Sequence, residues 1–465
     1  MATEALCLLL LLAPALAVRP PRGYLLRDPA QQIPPRPAVH REPTGQLLLT
    51  EYLEAGKVEE AQLLSRVNGS AFPEDIPSYS GFFTVDKSNG SNTFFWFFPA
   101  EHDYKNAPVV LWLQGGPGST SLFGLFEELG PFSVAEDSST LIRNPYSWHK
   151  NHSLLFIDNP VGAGFSYTTS DNYPTEETQI GKDLYSAMVQ FFTLFPNLQS
   201  NDFFISGESY AGKFVPALGH TIHKNNPNAS LKINLKGLII GDGLVDPVHQ
   251  LDYSDYVYQV GLVDNTTWKS MRTLEDEARQ YIRDKDFKNA AKMWSKTVMT
   301  FVEKSLLSYY NILYDVDEDD GGDTTESYVD FLEKNSTRSA LHVGSVPFYD
   351  IGATFLANDT MQSVAPWVEE LLDSGYRVVF YNGQLDVVCA YPMAENMFRH
   401  LRFKEAGEYA KAERHTWGKG NHVYGYTKKA GGLTEVLVRN AGHMVPADQP
   451  AVAFDLIYKA TRGTL

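Results

Sequence analysis

Cysteine is almost absent from this sequence, which contains only two among its 465 residues. Cys7 lies in an apolar stretch at the N-terminus, and Cys389 lies far downstream. If the apolar stretch is removed during processing, Cys389 is left alone and the mature chain has no internal disulfide. With 43% apolar and 13% aromatic residues, a chain of this length can still bury a core large enough to fold.

Positive charge is also scarce, because 39 Lys and Arg residues stand against 56 Asp and Glu residues, a formal net charge of −17. Nucleic acids and anionic membrane surfaces are bound mainly by Lys and Arg side chains that neutralise phosphate groups. The charge balance therefore argues against both classes of partner. It is typical of a globular protein with an acidic surface.

Long hydrophobic runs are limited to one, LCLLLLLAPALA, at residues 6–17. Its final ALA triplet is a small-x-small cleavage site, which predicts a signal peptide over residues 1–17. A retained membrane anchor is the alternative, because Glu4 precedes the run and no Lys or Arg does. No later run reaches the length of about 20 residues that a spanning helix needs, so we expect no membrane span in the mature chain.

Seven Asn-x-Ser/Thr sequences predict N-glycosylation and passage through the secretory pathway, to the lysosome or out of the cell. They begin at Asn68, Asn89, Asn151, Asn228, Asn265, Asn335 and Asn358. Residues 18–46 are rich in Pro and Arg. That composition predicts a pro-segment or linker without regular structure.

Metal and cofactor motifs are missing as well, since the sequence has no H-E-x-x-H, no paired cysteines and no lysine at Walker spacing. The segment DVDEDDGGDTTE, at residues 315–326, superficially resembles a calcium-binding loop. Asp320, however, stands at the sixth position, where such a loop needs Gly for its turn. We therefore expect a solvated acidic loop there, and neither a metal nor a cofactor.

Short apolar runs predict strands that are buried on both faces of a sheet. They are VVLWL (109–113), LLFI (154–157), FFIS (203–206), LKGLII (235–240), YRVVFY (376–381) and EVLVR (435–439). Each run leads into a cluster of Gly, Asn or Asp, and helical stretches separate several of them. The alternation predicts an α/β fold with a doubly wound, mostly parallel sheet, helices on both faces, and a ligand site at the carboxyl ends of the strands.

Two further patterns complete the predicted organisation. GFFTV (81–85) and TFFWFF (93–98) flank an SNGSN turn and predict an antiparallel hairpin. Within residues 244–367 the strand pattern stops, and apolar residues recur at spacings of three and four, which predicts amphipathic helix. The predicted domains are a core in two parts, residues 47–243 and 368–465, interrupted by a mostly helical cap subdomain at residues 244–367.

The segment GESYAGK, at residues 207–213, places Ser209 between a predicted strand and a predicted helix. This is the strand–turn–helix context of a nucleophile elbow, with Ala211 in place of the second Gly. Asp386 and His443 follow later predicted strands, so the order is Ser, Asp, His, as in the α/β-hydrolase arrangement. Taken alone, Asp386 could be a loop-capping acid and His443 one of twelve ordinary histidines.

Several long blocks in this chain resemble the serine carboxypeptidase family of the α/β-hydrolase superfamily, most closely its vitellogenic-like members. They are LWLQGGPGSTSLFGLFEELGP (111–131), FIDNPVGAGFSY (156–167), GESYAGKFVPAL (207–218), IIGDGLVDP (239–247), YNGQLD (381–386) and NAGHMVPADQP (440–450). The resemblance runs from about residue 47 to the end of the sequence. It implies release of one residue from the C-terminus of a peptide or protein substrate, through an acyl-enzyme on Ser209.

In that chemistry His443 would act as the general base and Asp386 would orient its imidazole. The backbone N–H groups of Gly116 and Tyr210 would hold the oxyanion. No cofactor is needed, and the sequence does not indicate the oligomeric state.

The resemblance also implies a recognition site for the substrate's free carboxylate, made by Glu208, Glu128 and Gln114 and supported by Trp112. Glu208 directly precedes the nucleophile, where an ionised acid would repel the oxyanion. A protonated acid could instead donate a hydrogen bond to the substrate carboxylate, and two acids at close range cannot both ionise. We therefore expect activity to be favoured at acidic pH.

Departures from the family pattern occur at Gln114, where many relatives have Asn, at Ser119, where many have Cys, and at Asp242, where Asn is common. We expect the last two positions to lie apart from the triad. The sequence also leaves two other functions open. One is a catalytically silent binding or protective protein with the same fold, and the other is an acyltransferase that uses the same triad.

Overall fold

The computed structural model describes residues 43–170, 172–316, 327–349 and 354–465. The predicted signal peptide and most of the predicted pro-segment lie outside the described residues, as does most of the acidic loop. Among the helices of the described residues, none combines the length and the apolar character needed to cross a membrane.

A ten-stranded sheet forms the centre of the fold, in the order β1-β2-β6-β3-β7-β8-β9-β12-β11-β10. Its strands are β1 Tyr79–Asp86, β2 Ser91–Phe98, β3 Val109–Leu113, β6 Ser153–Ile157, β7 Phe203–Glu208, β8 Leu235–Gly241, β9 Arg377–Gly383, β10 Arg414–Lys419, β11 His422–Ala430 and β12 Leu433–Val438. The six strands from β6 to β12 in this order are parallel, and an antiparallel hairpin extends the sheet at each edge. The prediction of a mostly parallel α/β sheet is therefore confirmed.

Fifteen α-helices surround the sheet within the described residues. They are α1 Thr50–Glu54, α2 Val58–Ser65, α3 Ser121–Phe123, α4 Glu177–Leu194, α5 Ala211–Asn225, α6 Tyr253–Gln259, α7 Asn265–Arg283, α8 Phe287–Ser305, α9 Ser327–Glu333, α10 Asn335–Ala340, α11 Ala365–Asp373, α12 Tyr391–His400, α13 Ala406–Tyr409, α14 Val445–Asp448 and α15 Pro450–Arg462. A π-helical turn follows α3 at Gly124–Leu129.

Burial on both faces explains why the central strands are continuously apolar. Every residue of β3 is buried, and alternate residues enter different cores. Leu111 packs in the core that includes α4, α5 and α11, whereas Trp112 packs in the core that includes α15. Because successive side chains of a strand point to opposite faces, both faces must be apolar when helices cover both.

Only one of the two edge hairpins was predicted from the sequence. The predicted hairpin at residues 81–98 is present as β1 and β2. The β10–β11 hairpin was not predicted, because most of its side chains are polar or exposed and Gly interrupts both strands. A separate small sheet, β4 Phe132–Val134 with β5 Leu141–Arg143, was missed for the same lack of an apolar run.

The chain between β8 and β9 contains α6 to α11 and no named strand among its described residues. Its predicted amphipathic helix is α8, whose Trp294, Val298 and Phe301 are buried. The division of the chain into a two-part core and a cap at residues 244–367 remains a prediction.

Candidate active site

Ser209 lies on a tight turn between β7 and α5, with a positive φ of 62°. A residue other than Gly is strained at a positive φ, so contacts with neighbouring segments must hold the turn in this conformation. The Ser209 N–H donates to the carbonyl of Gly241 at 2.9 Å, and the Ser209 carbonyl accepts from the N–H groups of Gly212 and Leu244 at 2.9 and 3.0 Å. These bonds tie the turn to the adjacent strand β8 and hold the serine half-buried.

Close packing around the turn explains its small residues. A Cβ on Gly207 would lie 2.5 Å from the Leu113 carbonyl and 2.8 Å from the Ala211 Cβ. Gly207 thus makes room for Ala211, which is why Ala is accommodated where the strict elbow motif has Gly. A Cβ on Gly115 would lie 2.7 Å from both the Ser209 Cβ and the Tyr210 nitrogen. The loop after β3 therefore lies against the turn and requires Gly there.

Asp386 and His443 are both fully buried, in the loops that follow β9 and β12. The Nδ1 of His443 lies 2.9 Å from Oδ2 of Asp386, and the same oxygen accepts the N–H of Cys389 at 3.2 Å. With its proton on Nδ1, the imidazole has Nε2 as an acceptor. That buried Nε2 has no hydrogen-bond partner among the described residues.

Adjacent strands bring Ser209, Asp386 and His443 to one edge of the sheet. Strands β7, β8, β9 and β12 are consecutive in the sheet and parallel, so their carboxyl ends lie side by side. A Cβ on Gly383 would lie 1.9 Å from the Gly442 carbonyl, which shows how closely the last two loops approach. The structure thus places the three predicted residues in the order and at the edge expected from the sequence.

The predicted oxyanion donors lie on the two backbone segments that meet at Ser209. Tyr210 immediately precedes α5, whose N-terminus favours negative charge. Gly116 has a φ of 109°, and a Cβ there would lie 2.8 Å from the Ser119 nitrogen. A side chain at residue 116 would be strained at this φ and would collide with the loop, so the loop conformation requires Gly.

The four predicted carboxylate-binding residues form one buried hydrogen-bonded cluster. The Trp112 indole N–H donates to Oε1 of Gln114 at 2.9 Å. Because an indole can only donate, the Gln114 amide nitrogen must face the acids. That nitrogen donates to Oε1 of Glu208 at 2.7 Å and lies 3.4 Å from Oε1 of Glu128. The Gln114 amide therefore contacts both acids.

Burial strongly favours the protonated form of this acid pair. It raises the pKa of Glu208 to about 8. The pKa of Glu128 is raised well above its usual value by burial and then by the negative charge of Glu208. Oε2 of each acid is buried and has no hydrogen-bond partner within the described residues. The pair therefore holds at least one proton at acidic and neutral pH, with oxygen atoms available to a ligand.

Glu128 is carried by the π-helical turn Gly124–Leu129, a rare conformation that is frequent at functional sites. Gly124 begins this turn directly over Trp112 and Gln114. A Cβ there would lie 2.2 Å from the Trp112 Nε1 and 2.8 Å from the Gln114 Oε1. The absence of a side chain at residue 124 therefore allows the turn to approach the cluster.

Asp242 contradicts the expectation that it lies apart from the triad. It is fully buried at the end of β8, next to β9. One carboxylate oxygen each of Asp242 and Asp386 and a ring nitrogen of His443 all lie within 4.8 Å of one another. The sequence did place Asp242 at the end of a predicted strand, within GDG. It could not show that the loop carrying Asp386 lies next to that strand end.

A second buried cluster under the elbow was not predicted. The Nζ of Lys213, on the first turn of α5, lies 2.5 Å from Oδ2 of Asp359, and both residues are buried. The Tyr210 hydroxyl donates to the same oxygen at 3.5 Å. Burial raises the pKa of nearby Glu177 to about 8, partly opposed by the charge of Lys213. The cluster ties the helix after the nucleophile to the chain that precedes α11.

Glu177 makes the folded state sensitive to alkaline pH. Its folded-state pKa of about 8 lies above the value of about 4.3 expected in an unfolded chain. Its contribution to stability is thus complete below pH ~4.3 and is lost as the pH rises through its folded-state pKa. We expect Glu177→Gln to melt at a higher temperature than the parent at pH 8.5, with a difference that shrinks towards pH 4.5. Glu176→Gln, at the exposed preceding residue, should show no such trend, and an equal trend in both would refute the assignment.

A serine on a strand-to-helix turn, with a buried Asp–His pair on later parallel strands, is the arrangement of a serine hydrolase with the α/β-hydrolase fold. Residues 69–463 match the family profile described as "Serine carboxypeptidase". The chain belongs to the serine carboxypeptidase family and is a serine-type carboxypeptidase.

Relatives from several animals are similar over almost the whole chain. The "Venom serine carboxypeptidase" of Apis mellifera is 46% identical, over 92% of this chain and 93% of its own. The "Vitellogenic carboxypeptidase" of Aedes aegypti is 45% identical, over 95% and 94%. The "Probable serine carboxypeptidase CPVL" of Homo sapiens is 41% identical, over 90% of each chain. The resemblance stated from the sequence is therefore confirmed.

The crystal structure of Kex1(delta)p, a prohormone-processing carboxypeptidase from Saccharomyces cerevisiae, has the same fold, with a TM-score of 0.77. The match covers 86% of this chain and 96% of that one, at 23% sequence identity. The α/β-hydrolase fold is thereby shown.

Proposed function

We propose that this enzyme releases single C-terminal amino acids from peptides through an acyl-enzyme on Ser209, with activity favoured at acidic pH. The Ser209 hydroxyl attacks the last peptide carbonyl while Nε2 of His443 takes its proton. The N–H groups of Gly116 and Tyr210 stabilise the oxyanion. Breakage of the C–N bond releases the terminal amino acid, which receives the proton from His443. Water then hydrolyses the ester by the same steps.

The observation that carries this proposal is the buried acid cluster next to the nucleophile. Glu208 precedes Ser209 in the chain and bonds to Gln114, which also contacts Glu128. An endopeptidase has no use for buried, protonated acids beside its serine, since its substrate continues past the cleaved bond. An exopeptidase must hold a free carboxylate, and protonated acids with an amide can donate hydrogen bonds to it.

The same cluster gives the direction of the pH dependence. Burial raises the pKa of Glu208 to about 8, so recognition of the substrate carboxylate weakens as the pH rises through that value. At the acid end, a protonated imidazole on His443 cannot accept the serine proton. Activity should therefore follow a bell, and the preference for a free C-terminal carboxylate over its amide should fall as the pH rises through the pKa of Glu208.

The test compares an N-blocked dipeptide with its C-terminal amide from pH 4 to 9.5. We expect the parent to prefer the free acid most strongly at acidic pH. In Glu208→Gln that preference should no longer change with pH, because the neutral side chain cannot titrate. Glu275→Gln is the matched control. Glu275 is also a buried glutamate whose pKa burial raises, to about 7, but it lies on α7.

Three results would count against the proposal. A preference for the free acid over the amide that depends on pH in Glu208→Gln as it does in the parent would remove the acid pair from carboxylate recognition. Absence of turnover by folded parent protein at every pH would favour a silent binding protein. Preferential transfer of a labelled acyl group to added amines or alcohols rather than to water would favour an acyltransferase.

We also propose that the enzyme works in the secretory pathway, in the lysosome or outside the cell, as the venom and vitellogenic relatives suggest by name. Five of the predicted glycosylation sites are exposed, Asn68, Asn228, Asn265, Asn335 and Asn358, whereas Asn89 and Asn151 are half-buried. An acidic lysosomal compartment would match the proposed pH dependence.

A further inference from the structure

Asp242 and Asp386 form a buried pair of carboxyl groups at the ends of adjacent strands. Both residues are fully buried, and one oxygen of each lies within 4.8 Å of the other. Asp242 has a φ of 42° and its N–H donates to the Tyr381 carbonyl at 2.8 Å, so its backbone is held against β9. The side chain is therefore directed at the loop that carries Asp386.

The hydrogen bonds of the pair leave one oxygen on each side without a partner. Oδ1 of Asp242 accepts from the Gly383 N–H at 2.8 Å and from the Asn382 side-chain amide at 3.4 Å. Oδ2 of Asp386 accepts from His443 Nδ1 at 2.9 Å and from the Cys389 N–H at 3.2 Å. Oδ2 of Asp242 and Oδ1 of Asp386 are the remaining oxygens, and neither has a partner among the described groups.

Two adjacent carboxylates that are both fully buried cannot both be ionised, so one of them must carry a proton. Asp386 keeps the negative charge, because its Oδ2 pairs with the imidazole of His443. Asp242 accepts only from neutral amide groups, those of Gly383 and Asn382. The other member is then neutral, and its hydroxyl can satisfy the free oxygen of its neighbour.

We propose that Asp242 is a positioning residue whose protonated Oδ2 donates a hydrogen bond to Oδ1 of Asp386 and thereby holds the Asp386 carboxylate in line with His443. This inference rests on the proposed function, because it assigns Asp242 to the proposed triad. Asparagine could play the same part by donating from its side-chain amide. Only the aspartic acid can lose the contact by titration.

The surroundings of Asp242 favour its protonated form. Its pKa is raised well above the ordinary value, first by burial and then by the negative charge of Asp386. Glu208 on β7 acts in the same direction. The other titratable groups that face it are Tyr381 on β9, Cys389 in the following loop and His443. Loss of the Asp242 proton at alkaline pH would place two negative charges side by side and displace Asp386 from the imidazole.

The test uses the acylation step alone, with an N-blocked amino-acid nitrophenyl ester. This substrate has no terminal carboxylate, so the Glu128–Glu208 pair does not contribute to its recognition. The burst of nitrophenol reports the rate of acyl-enzyme formation, and Ser209→Ala supplies the blank. We expect the parent's rate to fall at the alkaline end of a pH 5 to 9 series, and the rate of Asp242→Asn to persist there.

The second variant, Asp242→Ala, removes the donor at every pH. A lost hydrogen bond to a charged group corresponds to a rate loss of about 10- to 100-fold. The loss should appear in the acylation rate at saturating ester, with the half-saturating ester concentration of the burst unchanged, and Asp242→Asn should restore most of it at pH 5. Asp183→Asn is the control, since Asp183 is a buried acid whose pKa burial also raises, to about 6, but it lies on α4.

Either of two results would overturn the proposal. One is parent-like acylation by folded Asp242→Ala across the pH series. The other is an alkaline fall in Asp242→Asn equal to that of the parent. Failure of the proposed function would be recognised separately, by a parent protein whose burst does not exceed that of Ser209→Ala.

Discussion

Ser209→Ala should lower kcat for dipeptide hydrolysis by about 10⁶-fold, the loss seen when a serine protease loses its nucleophile. The substitution removes only the hydroxyl, while the turn is held by backbone hydrogen bonds to Gly241, Gly212 and Leu244. The fold should therefore survive. Release of the C-terminal residue, followed by amino-acid analysis at pH 5, measures the loss, and circular dichroism checks the fold.

Ser206→Ala provides the matched control for that substitution. Ser206 lies on β7, three residues before Ser209, and its buried hydroxyl has no hydrogen-bond partner among the described residues. Its loss should leave kcat within about twofold, because the substitution breaks no hydrogen bond and Ser206 is not part of the proposed triad. His443→Ala should be as inactive as Ser209→Ala, and the double variant should be no worse, because the two residues act as a unit. If kcat of Ser209→Ala were only about tenfold lower than kcat of Ser206→Ala, the role of Ser209 as nucleophile would be refuted.

Asp386→Asn should lower kcat by about 10⁴-fold without a large change in stability. The amide has the same shape, but its NH₂ group would face Nδ1 of His443, where the carboxylate now accepts at 2.9 Å. The imidazole would then turn its proton to Nε2, the atom that must accept the Ser209 proton. Steady-state kcat at the pH optimum measures the effect.

The neighbouring acid sharpens this second prediction. Asp242→Asn makes the same change, from carboxyl to amide, at the neighbouring buried acid, and we expect it to retain most activity at pH 5. A large loss in Asp386→Asn would therefore not be explained by any such change close to His443. In the parent, proton NMR should detect the hydrogen-bonded Nδ1 proton of His443, and that signal should vanish in Asp386→Asn. Comparable kcat values for the two asparagine variants would contradict the assignment of Asp386 as the partner of His443.

Some strands were predictable because a short, continuously apolar run is typical of a strand that is buried on both faces of a sheet. The run VVLWL is apolar at every position since both faces of β3 are covered, and its predicted limits, residues 109–113, agree with the structure. The hairpin β10–β11 has no such run. Most residues of both strands are exposed or half-buried, so the pairing of the hairpin with the sheet depends on the position of β12.

The sequence by itself determined the elements whose cause is local: the apolar strands, the small residues of the Ser209 turn and the glycines that let backbones approach it. Motif resemblance extended this to the family and to the residues expected in the site. Only the tertiary structure decided which side chains share an environment. Asp242 and Asp386 are far apart in the chain, and they interact because β8 and β9 are adjacent and parallel. Burial, which raises the pKa of Glu208 and Asp242, likewise depends on packing from the whole chain. Such long-range proximity follows from strand order, which no single segment encodes.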